Sequence, residues 1–204
     1  MIYFISDTHF GHRNIVGYCK RPFQTTKEMD SIIIDSINST VKPKDTLYFL
    51  GDFCHRGGDP KKYRKQIRCQ DIHLILGNHD NEEKFSKKDF SSIGLMKEIL
   101  YCNKRIILCH YPMRAWNRSY RNSWMLYGHV HGRLHKEDMS LGRYTLDVGV
   151  DNKRDDVQFG TPWSFKQIQK LFSQRSKKFS RLPIDRPIQD VRMKESMRED
   201  QSSD

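Results

Sequence analysis

Apolar residues in this chain fall into short blocks that stop abruptly at polar or glycine-containing segments: Ile2 to Ile5, Leu47 to Leu50, Ile72 to Leu76 and Ile106 to Cys109. Blocks this short, rich in Ile, Leu and Phe, predict buried β-strands rather than helices. Trp124 to Tyr127 and Tyr144 to Val150 are a further candidate pair. Between the blocks the period changes. From Thr26 to Val41, the residues Met29, Ile33, Ile37 and Val41 recur every fourth position beside Ile34, a one-sided stripe that predicts a helix, with Pro43 as its stop signal. Pro60 is placed to open a second, strongly basic helix through Arg68, and Ser164 to cap a third that runs to Phe172. Strands alternating with helices predict a layered α/β domain.

The segments at the strand ends are chemically selective. The first strand runs into Asp7-Thr8-His9, the second into Gly51-Asp52, the third into Gly77-Asn78-His79-Asp80, the fourth into His110 and the fifth into Gly128-His129-Val130-His131. Layered α/β folds bind ligands at the carboxyl ends of their strands, so five such ends offering Asp, Asn and His predict one shared site. In extended chain, residues i and i+2 point the same way; Asp7 and His9 then reach one ion together, as do His129 and His131 if that stretch stays extended. Imidazole and carboxylate without thiolate suit Mn, Fe, Zn or Ni. Asp52 has two oxygens with which to bridge two ions, and Asn78 adds a ligand without adding charge. Each element alone is commonplace, and Gly-Asn by itself reads as a turn. The ordered set carries the inference.

Charge sharpens it. The 204 residues suit one domain with an appendage, and the net charge of +11 favours anionic partners such as phosphoesters, nucleotides or nucleic acid. The segment from Ser173 to Asp204 holds eight Lys and Arg against six Asp and Glu, so the basic surplus belongs to residues 1–172; that segment reads as an extended or disordered charged tail. Five cysteines without a CxxC pair read as free thiols of a reducing, cytoplasmic setting. No window is apolar enough for a membrane span, and the start lacks the basic region of a signal peptide.

The order D-x-H, G-D, G-N-H-D, H, G-H-x-H resembles the calcineurin-like metallophosphoesterase superfamily over residues 1 to about 170. The longer words Ser6-Asp7-Thr8-His9-Phe10-Gly11-His12 and His110-Tyr111-Pro112-Met113-Arg114-Ala115-Trp116-Asn117 are similar to a small branch found in bacteria and their phages. The resemblance implies a four-layer αββα sandwich: two mixed sheets face to face, with helices outside. It implies Asp7, His9 and His131 on a first metal, Asn78, His110 and His129 on a second, and Asp52 between them. His79 matches the catalytic histidine and Asp80 the carboxylate that orients it. Gly51-Asp52-Phe53-Cys54-His55-Arg56-Gly57 resembles the word G-D-x-x-D-R-G, with His55 where Asp is usual, and makes Arg56 a phosphate clamp by analogy.

The expected activity is hydrolysis of a phosphodiester, or a phosphomonoester, of a nucleotide-like substrate. Two divalent transition-metal ions, manganese first and iron, zinc or nickel as alternatives, would hold a bridging hydroxide for in-line attack while His79 protonates the leaving group. Arg114 and Arg133 are further candidates for substrate contact. His12 either lines the pocket or braces its loop; His73 reads as structural and His135 as surface. Trp116, Trp124 and Trp163 are candidates to stack a base, with core packing as the other reading of Trp163. Lys61, Lys62, Arg64, Lys65 and Arg68 form a basic cluster that steers a polyanion or is a solvated face. The alternatives to the esterase are a non-catalytic interaction scaffold on the same fold, and a nucleic-acid binder or nuclease acting on nucleic-acid ends.

Overall fold

The computed structural model describes residues 1–140, 143–152 and 154–179. Its strands form two sheets. The larger runs β4 (Ser92–Gly94), β3 (Asp71–Ile75), β2 (Thr46–Leu50), β1 (Ile2–Ile5) and β9 (Trp163–Ser164); the smaller runs β5 (Met96–Tyr101), β6 (Lys104–Cys109), β7 (Trp124–Tyr127) and β8 (Thr145–Asp147). Each is mixed: β9 is antiparallel to β1 and β5 to β6, while the remaining pairs are parallel.

The apolar blocks are continuous because their strands are covered on both faces. Tyr3, Ile5, Leu47, Phe49, Ile72 and Leu74 face a core that also takes Met29, Ile33 and Ile37 from α2 (Thr26–Thr40). The alternate residues Ile2, Phe4, Tyr48, Leu50 and Ile75 face Ile106, Leu108, Trp124, Leu126 and Leu146 of the second sheet, together with Phe165, Ile168 and Phe172 of α5 (Phe165–Phe179). Beyond the second sheet, Ile107, Cys109, Met125 and Tyr127 pack on Met113, Trp116 and Val130, and the Tyr127 hydroxyl donates to Asp138 of α4 (His135–Ser140) at 2.7 Å. Helix, sheet, sheet, helix is the layering expected from the sequence. Two short helices, α1 (Ile15–Tyr18) and α3 (Pro60–Arg64), complete the α-helices of the described residues.

Two element expectations change. The basic helix stops at Arg64 rather than Arg68, because the Arg64 guanidinium turns back onto the carbonyls of Ile67, Asp89 and Gln70; it is structural, not a free cation for a polyanion. The last helix begins beside Ser164, whose hydroxyl accepts from the Gln167 N–H, but continues past Phe172 to Phe179. Within that added stretch Arg175 is buried and donates to the Thr145 carbonyl at 2.6 Å. The rest of the expected tail, 180–204, lies outside the described residues. No helix among the described residues is long and apolar enough to cross a membrane.

Candidate active site

The carboxyl ends of β1, β2, β3, β6 and β7 meet at one edge of the sandwich. Beyond β1 and β2 the two chains stay paired, with the Asp7 N–H on the Gly51 carbonyl at 3.0 Å and the His9 N–H on the Asp52 carbonyl at 2.9 Å. The two sheets are joined there by the bridge between Ser6 and Gly149. Side chains fill the remaining space to the last ångström. A Cβ at Gly77 would lie 2.2 Å from Asp52 Oδ1, and one at Gly128 2.5 Å from Asp7 Oδ2. No larger residue fits at either position without moving a carboxylate.

The sequence-based reason for pairing Asp7 with His9 is corrected by the backbone. Asp7 (φ 58°), His9 (φ 50°), Asp52 (φ 53°), His129 (φ 72°) and His131 (φ 52°) all lie in the left-handed region, so five of the seven expected ligands are not extended. Asp7 and His9 still converge, now through tight turns. His129 and His131 diverge: His131 groups with Asp7 and His9, whereas His129 Nδ1 lies 3.0 Å from Asn78 Oδ1. Such backbone costs of order 1–3 kcal/mol per residue and persists only where the surroundings impose it.

Donor atoms of Asp7, His9 and His131 lie within 4.8 Å of one another, as do those of Asp7, Asp52 and His110, and those of His9, Asp52 and His79. The donor set fits a bound cation on two observations. Both ring nitrogens of His9 are buried without a hydrogen-bond partner. His110 Nδ1 donates to the Leu50 carbonyl at 2.8 Å, which turns Nε2 toward Asn78 Oδ1 at 3.1 Å and Asp52 Oδ2 at 3.5 Å. A cation among these atoms, or a proton on Nε2, balances the oxygens gathered there.

The electrostatics favour a neutral ligand at His9 and protonated rings at His110 and His131. Burial, then the charge of Asp147, pushes Asp7 up, and burial also pushes Asp147 up. Burial would raise Asp52, yet the hydrogen bond and charge of His110, then His9, hold it at about 2. Burial lowers His9 to about 3, so its imidazole is neutral and able to donate a lone pair. His131 is raised to about 10: burial opposes the charge, but Asp151, Cys19 and Asp7 outweigh it.

The other expected site residues fare differently. His79 is half-buried, with its ring 4.9 Å from that of His9, where it belongs to none of the Asp7 groupings. Asp80 does not hold that ring: its carboxylate accepts from the N–H groups of Asp52, Phe53 and Gly77 at 2.8–2.9 Å, pinning the β2 and β3 loops together. His55 is exposed at the rim, with its ring 4.8 Å from His12, and Arg56 is exposed beside it. Arg114 and Arg133 are exposed and make no side-chain ion pair among the described residues. Trp116 donates to Ser123 Oγ at 2.9 Å and packs on the second sheet, Trp124 is buried, and Trp163 carries Arg154 on its face, so all three are structural. His73 stacks on Tyr48, and His135 is exposed, as expected.

Four residues went unforeseen. Asp151 Oδ2 lies 2.7 Å from His131 Nδ1, and Arg21 clamps Asp151 through Nε at 2.9 Å and Nη2 at 2.7 Å. The same guanidinium donates to the carbonyls of Asp7 and Thr8 at 2.7 and 3.0 Å. Cys19 Sγ sits 3.4 Å from His131 Nδ1, and Asp147 is fully buried under Gly132 and Gly149. Arg21 and Asp151 are 130 positions apart, and no local pattern marks either as a partner.

Layering and site together define a class. The family model described as calcineurin-like phosphoesterase matches residues 1–133, and the chain belongs to that family. An uncharacterised protein of Methanocaldococcus jannaschii is 37% identical over 154 residues, covering 74% of this chain and 81% of its own length. A solved structure of a protein of unknown function from Aquifex aeolicus is 30% identical with a TM-score of 0.65, covering 84% of this chain and 98% of its own. A phosphoesterase from E. coli aligns at 19% identity over 64% of this chain and 69% of its own, with a TM-score of 0.37. The family binds divalent metal ions, and membership supports a metal-dependent phosphoesterase.

Proposed function

We propose that the protein hydrolyses a phosphodiester, or a phosphomonoester, of a nucleotide-like substrate with two divalent cations. Asp7, His9 and His131 would hold one, Asn78, His110 and His129 the other, and Asp52 would stand between them, with manganese the first candidate. The observation that carries this reading is the convergence of donor atoms on buried ground: Asp7, His9 and His131 in one grouping and Asp7, Asp52 and His110 in another, with both ring nitrogens of His9 buried and neither of them hydrogen-bonded. Cations there supply Lewis acidity toward phosphoryl oxygens and an activated water. The protein's part is to seat the ester so that its leaving oxygen meets His79, which donates a proton to the departing alkoxide. The His79 N–H donates to Asp52 Oδ1 at 2.9 Å, so the acid is tied to the central carboxylate through backbone. Arg56, exposed at the rim, is placed to meet non-bridging oxygens as the substrate enters. A cytoplasmic setting belongs to the same proposal, supported by five free cysteines.

The test is hydrolysis of bis-p-nitrophenyl phosphate beside p-nitrophenyl phosphate after chelation and addition of Mn²⁺. Turnover of the diester places the protein among phosphodiesterases, and turnover of the monoester alone makes it a phosphatase. Absence of metal-dependent turnover of either, in protein that carries two metal equivalents, would count against the esterase and for a scaffold.

A further inference from the structure

His12 and His55 are imidazoles beside the centre that neither the metal assignment nor the acid role of His79 uses. Their rings lie 4.8 Å apart at 90°, and His12 is 5.9 Å from His79 and 5.6 Å from His9. The four rings form a file, from His9 and His79 at the centre, through half-buried His12, to exposed His55. Each outer ring is fixed by a backbone donor. The Ile15 N–H donates to His12 Nδ1 at 3.2 Å, and the Gly57 N–H donates to His55 Nδ1 at 3.1 Å. A nitrogen that accepts carries no proton, so each neutral ring bears its hydrogen on Nε2. Neither Nε2 has a partner among the described residues. The loops therefore present two uncharged N–H donors, side by side, leading outward from the proposed leaving-group acid.

We infer that His12 and His55 form a subsite for the leaving group of the ester, selecting an alcohol rich in hydrogen-bond acceptors, of the kind a nucleoside or a phosphorylated nucleoside provides. This rests on the phosphoesterase reading above. An ester whose leaving oxygen reaches His79 and whose alcohol extends away from buried His9 meets His12 and then His55. Arg13 and Arg56, each next in sequence to one member of the pair and each exposed, make that direction favourable to anionic groups. Ribose hydroxyls and a second phosphoryl group share this acceptor chemistry.

The pair offers a sharp set of substitutions. In His12→Asn the amide oxygen stands in for Nδ1 and still takes the Ile15 N–H, but the Nε2 donor is gone; His12→Gln restores a donor near Nε2. His55→Asn and His55→Gln do the same for the Gly57 N–H. The substrates are thymidylyl-(3′→5′)-thymidine, whose leaving group is a nucleoside, the same dinucleotide carrying a terminal 3′-phosphate, whose leaving group is thymidine 3′-phosphate, and the p-nitrophenyl ester of thymidine monophosphate, whose leaving group is nitrophenolate. The Asn variants should lower kcat/KM for the first or second substrate, relative to the nitrophenyl ester, by about three- to ten-fold, the scale of one net hydrogen bond. The Gln variants should recover most of that ratio. Loss on both dinucleotides identifies the deoxynucleoside as the source of the acceptors; loss on the 3′-phosphorylated one alone identifies phosphate. An equal loss on all three, as a loop-bracing role would give, overturns the inference, and so does an unchanged ratio. Wild-type protein inactive on all three leaves the pair to be judged by long-range ¹H–¹⁵N spectra of zinc-loaded protein, and inactivity on p-nitrophenyl phosphate as well overturns the phosphoesterase reading instead. Nε2–H tautomers whose signals move on adding thymidine monophosphate or pyrophosphate support the subsite. Nδ1–H tautomers, or signals that do not move, overturn it.

Discussion

Asp7, His9 and His131 occupy a cradle in which Arg21 and Asp151 hold His131 and the Asp7 loop together, and Asp7 and His9 are almost completely buried. Across Asp52, Asn78 and His129 are exposed and lean on each other at 3.0 Å; His110, tied to the Leu50 carbonyl, is buried. The first half is braced by the fold before any ion arrives. The second has a single fixed ligand and two at the surface, next to the open approach. A braced carboxylate-rich half suits a retained cation, and an open half with neutral ligands suits one that leaves room for substrate.

Asp52 faces both halves, so Asp52→Asn should have the deepest effect, removing turnover and lowering metal content on both sides. Near-normal hydrolysis with full metal content in that variant would break the comparison outright. Next comes His79→Asn, expected to keep both cations while alkyl-ester turnover falls about 10²- to 10⁴-fold, the range of general acid catalysis. Aryl esters with good leaving groups should fall less; equal losses would remove His79 as the proton donor. Asp151→Asn should weaken the braced half by about 10- to 100-fold in metal affinity, as loss of a carboxylate behind a ligating histidine does. Calorimetric titration of the metal-free protein should then show the tighter of two steps displaced, while Asn78→Ala displaces the weaker. Displacement of the same step by both variants would mean that the halves are not distinct. The smallest effect is at the end of the chain. Ending it at Phe172 removes the buried Arg175 bond to Thr145 and should lower Tm by several degrees, whereas ending it at Phe179 should leave Tm near that of the full chain. A Tm that is the same for both ends would show that α5 beyond Phe172 adds nothing.

The centre was legible because its residues stand immediately after apolar blocks, where β1, β2, β3, β6 and β7 end, and α2 was legible because its stripe is one-sided. The edges were not. Strand β5 alternates exposed Met96 and Leu100 with half-buried neighbours and shows no apolar block, and β9 is two residues long. The end of α3 depends on where the Arg64 guanidinium finds carbonyls, which is a tertiary fact. The same holds for Asp80: the family resemblance implied an orienting partner for His79, but three backbone N–H groups from two loops claim its oxygens. Spacing placed Asp7 and His9 on one ion for the wrong reason, because the pattern of residue types does not reveal left-handed backbone.

That backbone restricts what can vary. Asp, Asn and His are the non-glycine residues that best tolerate positive φ, and they are also among the side chains that bind borderline cations. At positions 7, 9, 52, 129 and 131 both demands fall on one residue. Glu or Gln would keep a donor atom yet lose the local backbone preference, and a β-branched residue would lose both. A randomised library at these five positions should therefore return few survivors, and drift there leads to an empty centre rather than to a different metal. Asp147 and Asp151 behind them are free of that backbone demand, so their identity is set by the hydrogen bonds they make to Gly132, Gly149, Arg21 and His131.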